Sequence, residues 1–183
     1  MRYPAAETAE KHTRILEAAS RLFRERGFSD VSVSEIMKAT GLTHGPFYNH
    51  FPSKQALMAE AIAVASAQTV EGLLRSEPTD EGKAAYVSDY LSAAHRDHPA
   101  NGCLMASLAS ETSREPAVQT SFTTHLKTFI DKMATHFPRP SRRTARGDAI
   151  REIASMVGAL ALARAVNDEA LSNEILDEVA RRQ

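Results

Sequence analysis

The chain has a single cysteine, Cys103, so an intramolecular disulfide is excluded and no thiolate cluster exists for a structural zinc site. It has no uninterrupted apolar run approaching the roughly 18 residues of a transmembrane helix. Its amino terminus lacks the basic, apolar and small-residue succession of a signal peptide, so a cytoplasmic protein without a membrane partner is expected. Sustained strand-like alternation and internal repeats are missing too. No Gly-rich phosphate loop, Gly-x-Ser-x-Gly elbow or His-Glu-x-x-His helix is present, which leaves an enzyme without a motif to support it and gives no reason to expect a cofactor or a metal. Net charge is also scarce, at −1 over 183 residues. The charge is unevenly spread, however. Residues 1–55 hold eight Lys or Arg against six Asp or Glu, whereas 56–183 hold fourteen against seventeen.

What is present is an ordinary folding composition, 43% hydrophobic and 25% charged, long enough for one domain or two small helical ones. Apolar residues Ile15, Leu16, Ala19, Leu22 and Phe23 recur at spacings of three and four, predicting a helix from Thr8 to Gly27. Ser32 and Glu35 form a capping box that predicts a short helix over about 33–40, ended by Gly41. A further short helix is expected over 44–51, with Thr43 as its cap and Pro46 in its first turn. A long helix over 53–75 follows, then helices over 83–96, 103–110, 116–137, 148–166 and 168–182, with a basic loop at 138–147. The expected class is all-α. An N-terminal three-helix unit (1–55) would be joined to a C-terminal helical unit (56–183).

Three short helices, the second and third joined by a glycine turn of about three residues, are the helix-turn-helix pattern, in which the later helix can lie in the DNA major groove. Leu42, Phe47 and Phe51 are apolar where such a helix packs, and its other positions are polar where it faces bases. Lys54 stands at the start of a long helix, where the macrodipole already presents positive charge. A phosphate docking at those free amides would explain it; a side chain pointing simply to water is the alternative.

Residues 8–57 resemble the N-terminal domain of the TetR family of repressors. The match runs through Phe23, Gly27-Phe28, Val33-Ser34-Glu35-Ile36, Gly41-Leu42-Thr43, Phe47-Tyr48-Asn49-His50-Phe51 and Lys54-Gln55-Ala56-Leu57. The resemblance implies phosphate contacts from Tyr48, Lys54 and the residues near Ser32, and base contacts from Thr43, His44, Gly45, Pro46 and Asn49, with His50 facing the DNA backbone. It further implies a homodimer on an inverted repeat of double-stranded DNA and a C-terminal domain that binds a small-molecule effector and dimerises. The effector would release the DNA, with the 53–75 helix as the transmitting lever.

The C-terminal residues are less specific. Tyr86, Tyr90, Leu104, Met105, Leu108, Phe122, Phe129 and Met133 suit a largely apolar effector, and would serve equally as core. Asn101-Gly102-Cys103-Leu104-Met105 is similar to a Gly-Cys-Leu segment of one branch of these regulators, some of which sense electrophiles. Cys103 is therefore either a ligand-site thiol that senses electrophiles or oxidants, or a small buried hydrophobe. Ile150, Ile153, Ala154, Val157, Gly158 and Ala161 form a stripe of small and apolar residues, and the last helix offers Leu171, Ile175 and Val179. These positions form a dimer contact or pack within their own subunit. His95, His98 and Cys103 match no compact metal spacing. A protein-binding helical module, or an enzyme using the C-terminal cavity, is the alternative to a regulator. Salt-sensitive binding to duplex DNA separates them.

Overall fold

A computed structural model of the chain describes residues 5–43, 45 and 47–182, with the side chains of Ala5 and Ala6 excepted. Ile15, Ala19 and Phe23, spaced by four, are buried on one side of α1 (Ala5–Arg26). Arg24 and Arg26 in its last turn complement the negative end of the helix dipole. Gly27, at φ +86°, then turns the chain. In α2 (Val33–Ala39) the capping box is complete: the Glu35 amide donates to Ser32 Oγ at 3.2 Å and the Ser32 amide to Glu35 Oε2 at 2.8 Å. The helix closes on Gly41 at φ +71°, where the Gly41 amide donates to Lys38 O and the Leu42 amide to Met37 O, both at 3.0 Å. That pair of bonds is a Schellman closure, and a left-handed residue is what it demands.

The short α3 (Phe47–His50) leads into α4 (Lys54–Arg75), capped by Ser53, whose Oγ accepts from the Ala56 amide at 3.1 Å. By length and composition alone α4 could cross a bilayer. Its apolar residues instead pack on α1 and on two helices of the C-terminal half. Leu57 to Ala65 join a first core with Ile15, Phe23, Ile36, Phe47 and Phe51, and Leu73 joins a second with Val87, Phe129, Met133 and Leu160. The first core also takes in Leu104, Leu108 and Val118. The apolar interior therefore runs across the 55/56 boundary rather than ending there.

The expected helix over 83–96 is two helices, α5 (Asp80–Tyr90) and α6 (Ala93–Asp97). The first starts early because Thr79 Oγ1 accepts from the Gly82 amide at 3.0 Å, and Asp80 and Glu81 favour a first turn. The break follows from Ser92, whose hydroxyl accepts from the His95 amide at 3.1 Å and caps a new start. A 3-10 turn over Pro99–Asn101 precedes α7 (Leu104–Thr112), and α8 (Pro116–His136), α9 (Ala145–Ala165) and α10 (Glu169–Ala180) complete the chain. No strand occurs among the described residues. The basic loop is not simply a solvated charge run. Arg139 pairs with buried Glu152 at 2.8 Å, which also meets Lys83 at 2.6 Å, and Arg146 pairs with Asp131.

Candidate nucleic-acid interface and interior cavities

The helix-turn-helix is anchored by what it buries. Phe47 and Phe51, four residues apart, are both fully buried, and Phe51 stacks on the His12 ring of α1 at 4.4 Å. That seating leaves Tyr48 and Asn49 facing outward, Tyr48 being 65% exposed with its ring edge-on to Phe47. Ser32, Thr43 and Gly45 are exposed as well. His44 and Pro46 lie outside the described residues. His50 is half-buried, and burial, aided by the nearby charges of His12 and Lys11, holds its imidazole below the ordinary value. At neutral pH it therefore offers a neutral N–H rather than a cation. Lys54 is half-buried and its ammonium donates to Phe28 O at 2.5 Å, so the cation at this helix start has an acceptor in the α1–α2 turn.

Two further side chains tie this head to the body, and neither is marked in the sequence. Glu111 of α7 accepts from the amides of Phe28 and Ser29 at 2.7 and 3.3 Å. Arg24 of α1 donates to Gly102 O at 3.1 Å and to Gln68 Oε1 at 3.4 Å. Contacts between residues 44 to 83 positions apart leave no periodic trace for a sequence reading to find.

The expected effector residues are divided among several places. Tyr86, Tyr90 and Cys103 line a cavity of about 330 Å³, together with Arg24, Gln68, Asp89 and His95. Met105 and Phe122 line a separate apolar cavity of about 230 Å³ with Ile153 and Val157. Leu104 and Leu108 belong to the first core, and Phe129 and Met133 to the second. The first cavity is more polar than the aromatic and methionine set suggested. His95 holds its wall: Nδ1 meets Tyr90 O at 2.7 Å and Nε2 meets the Cys103 amide at 2.9 Å. Nδ1 must carry the proton and Nε2 must accept, so the ring is neutral, and burial lowers its pKa in the same direction. A third opening, about 680 Å³, lies between α4 and α8 beside His125.

On α9, Ile150 and Ala154 are exposed, Val157, Gly158 and Ala161 are half-buried, and Ile153 is buried against its own subunit. Leu162, absent from the expected stripe, is 59% exposed, and Leu171 on α10 is 42% exposed. Ile175 and Val179 of α10 are half-buried and pack on the second core.

Residues 15–61 match the family profile described as "Bacterial regulatory proteins, tetR family". Over 116 residues the chain is 34% identical to the HTH-type transcriptional regulator UidR of Escherichia coli K12, covering 61% of this chain and 57% of that protein. Over 53 residues it is 49% identical to the HTH-type transcriptional regulator YdgC of Bacillus subtilis, covering 29% of this chain and 27% of that one. The aligned stretch thus spans less than two thirds of either relative. Among solved structures, a TetR-family regulator from Agrobacterium tumefaciens superposes with a TM-score of 0.76 at 24% identity, covering 95% of this chain and 97% of that one. Reduced NemR of E. coli superposes with a TM-score of 0.77 at 20% identity, covering 94% of each chain. At these identities the likeness concerns the fold.

Proposed function

We propose that the chain, whose residues 15–61 match the tetR family of bacterial regulatory proteins, is a DNA-binding transcriptional regulator of that family, acting as a repressor that a small-molecule effector releases. The observation that carries this reading is the seating of α3: Phe47 within it and Phe51 directly after it are fully buried, with Tyr48 and Asn49 exposed on the other side. A short helix fixed from within and polar without is suited to the major groove. Tyrosine hydroxyl and lysine ammonium suit phosphate oxygens, while asparagine can both donate and accept at a base edge. Lys54 keeps further N–H donors beyond the one given to Phe28 O, so a phosphate can share it.

A homodimer through α9 and α10 fits the exposure pattern. Ile150, Leu162 and Leu171 are large apolar side chains left facing outward on these two helices. A second copy covering them would make a twofold assembly with two recognition helices, and such an assembly calls for an inverted repeat. The effector belongs to the helical body, with α4 running from head to body as one transmitting element.

The test is retention of a randomised duplex library by the purified chain at two salt concentrations, followed by sequencing of the retained DNA. The expected outcome is an enriched inverted repeat, with retention falling steeply as salt rises. Retention without enrichment at either salt concentration would remove the sequence-specific regulator.

A further inference from the structure

Arg24 is a buried cation, 5% exposed. Its guanidinium donates from Nε to Ser20 O at 3.2 Å, from Nη1 to Gly102 O and from Nη2 to Gln68 Oε1. All three acceptors are neutral. An arginine has five N–H donors, so two remain, and among the described residues no carboxylate lies within ion-pair distance of it. The carboxyl end of α1 favours a cation there without neutralising it. Burial lowers the Arg24 pKa, the direction expected of a charge short of compensation. Such a charge is costly unless a counter-ion arrives.

Arg24 lines the 330 Å³ cavity, and so does Tyr90. The Tyr90 hydroxyl is buried and has no hydrogen-bond partner of ordinary geometry. The Cys103 sulfur beside it is a weak acceptor only. Burial raises this phenol well above its usual value, so it is an O–H donor. Both nitrogens of His95 are committed to backbone groups, which removes it as a donor. Gln68, Asn101 and the Tyr86 hydroxyl also line the cavity and can donate to neutral and anionic ligands alike, but Arg24 is its lining arginine, with N–H groups to spare, and Tyr90 adds a buried hydroxyl without an acceptor. Asp89, exposed on the same wall, opposes a second negative charge.

We propose that this cavity is the effector site and that it takes a small organic monoanion, its carboxylate held by the Arg24 guanidinium and the Tyr90 hydroxyl and its apolar part against the Tyr86 ring. This rests on the reading of the chain as a regulator and names the ligand class of that site. The volume is at the lower end of small-molecule pockets, about 300–1,000 Å³, so the acid is compact. The inference also supplies a route for release. Arg24 stands three residues before Gly27, which ends α1 ahead of α2, and its bonds to Gly102 O and Gln68 Oε1 tie α1 directly to the body. A carboxylate that draws the guanidinium off those acceptors loosens the head at α1, beside any movement of α4.

The experiment titrates the full chain calorimetrically with benzoate, benzamide and benzamidinium, which carry different charge on the same ring. Benzoate is expected to bind at least about tenfold tighter than either, as a charge-assisted bond into a buried site supplies. Arg24→Gln should abolish the preference and Tyr90→Phe should weaken benzoate about three- to tenfold, with helicity of each variant checked by circular dichroism. If Arg24→Gln does not fold, the wild-type preference and Tyr90→Phe decide. Benzamide or benzamidinium binding as tightly as benzoate, no benzoate binding at millimolar concentration, or a preference that survives Arg24→Gln overturns the proposal. DNA retention is measured on the same samples. Intact salt-sensitive retention without benzoate preference overturns the anion site and leaves the regulator standing. An Arg24-dependent preference without DNA retention supports the site and overturns the regulator. Benzoate lowering retention in the wild type but not in Arg24→Gln supports both.

Discussion

Gly27 is constrained twice, by its backbone and by its neighbour. Its φ of +86° is a conformation that side chains with a Cβ rarely adopt, and a Cβ built there would stand 2.1 Å from Glu111 Oε1. The same carboxylate accepts the Phe28 and Ser29 amides, so Gly27→Ala would add left-handed strain and push Glu111 off the turn it caps. A loss of about 2–3 kcal/mol is expected, read as a fall in Tm of roughly 2–4 °C per kcal/mol for a chain of this size. The double-mutant cycle separates the two causes: Glu111→Ala removes the clash, so Gly27→Ala should cost less in that background. Strictly additive costs would mean that Glu111 does not constrain Gly27. Half of this arrangement is visible in the sequence, since Gly27 ends a periodic run and reads as a helix stop. Glu111 is invisible because nothing local distinguishes a carboxylate whose partners lie 82 and 83 residues away.

Elements were readable where their determinants are local. The capping box of α2 spans four residues, the Schellman closure at Gly41 spans six, and both stand where the spacing placed them. The break between α5 and α6 escaped because Ser92 sits in a run that is otherwise compatible with one helix, and only its hydroxyl's capture of the His95 amide decides the matter. The Ser32–Glu35 box also carries a charge that titrates. Bonds from the Ser32 amide and hydroxyl, then from Arg26, hold Glu35 down to about 2 from an ordinary 4.5. A depressed folded-state carboxylate contributes stability that is complete above its unfolded pKa and is lost as pH falls through the folded one. The gap in Tm between wild type and Glu35→Ala should be constant above pH 4.5 and shrink as the pH is lowered towards 2. Raising salt should weaken only the Arg26 share, which is exposed on both partners. A gap unchanged across that acid range would show that the box is not held by the ionised carboxylate.

At the scale of the whole molecule, α4 joins two cores, and the seam between α4 and α8 holds an ionisable group that the sequence could not identify as buried. His125 is 1% exposed, shares a 2.7 Å bond between Nδ1 and Ser66 Oγ, and has an Nε2 atom without a partner. Its neighbours, Phe122 and Phe129, give it an aromatic rather than a charged surrounding. The pocket and dimer residues were unreadable for the same reason: an amphipathic helix specifies that one face is buried, and not whether the burying surface is its own chain, a ligand or a second copy. Burial lowers His125 from 6.5 to about 4. For a base, a depressed folded-state pKa means that the unfolded chain binds the proton more readily, so stability is intact above about 6.5 and falls as the pH drops towards 4. At 1.36 kcal/mol per pKa unit the full loss is on the order of 3 kcal/mol. His50 and His95 are lowered in the same direction, so the wild-type slope exceeds that of one group. His125→Leu keeps an apolar side chain between α4 and α8 and removes the titration. Urea unfolding at pH values from 7.5 to 4.5 should give the variant a slope shallower by up to one proton, with a relative gain over wild type as the pH falls. This window ends near where that of Glu35 begins, so the two losses separate on one pH axis. Parallel stability curves for wild type and His125→Leu across pH 6.5 to 4.5 would place His125 in contact with water and overturn its assignment as a neutral buried group.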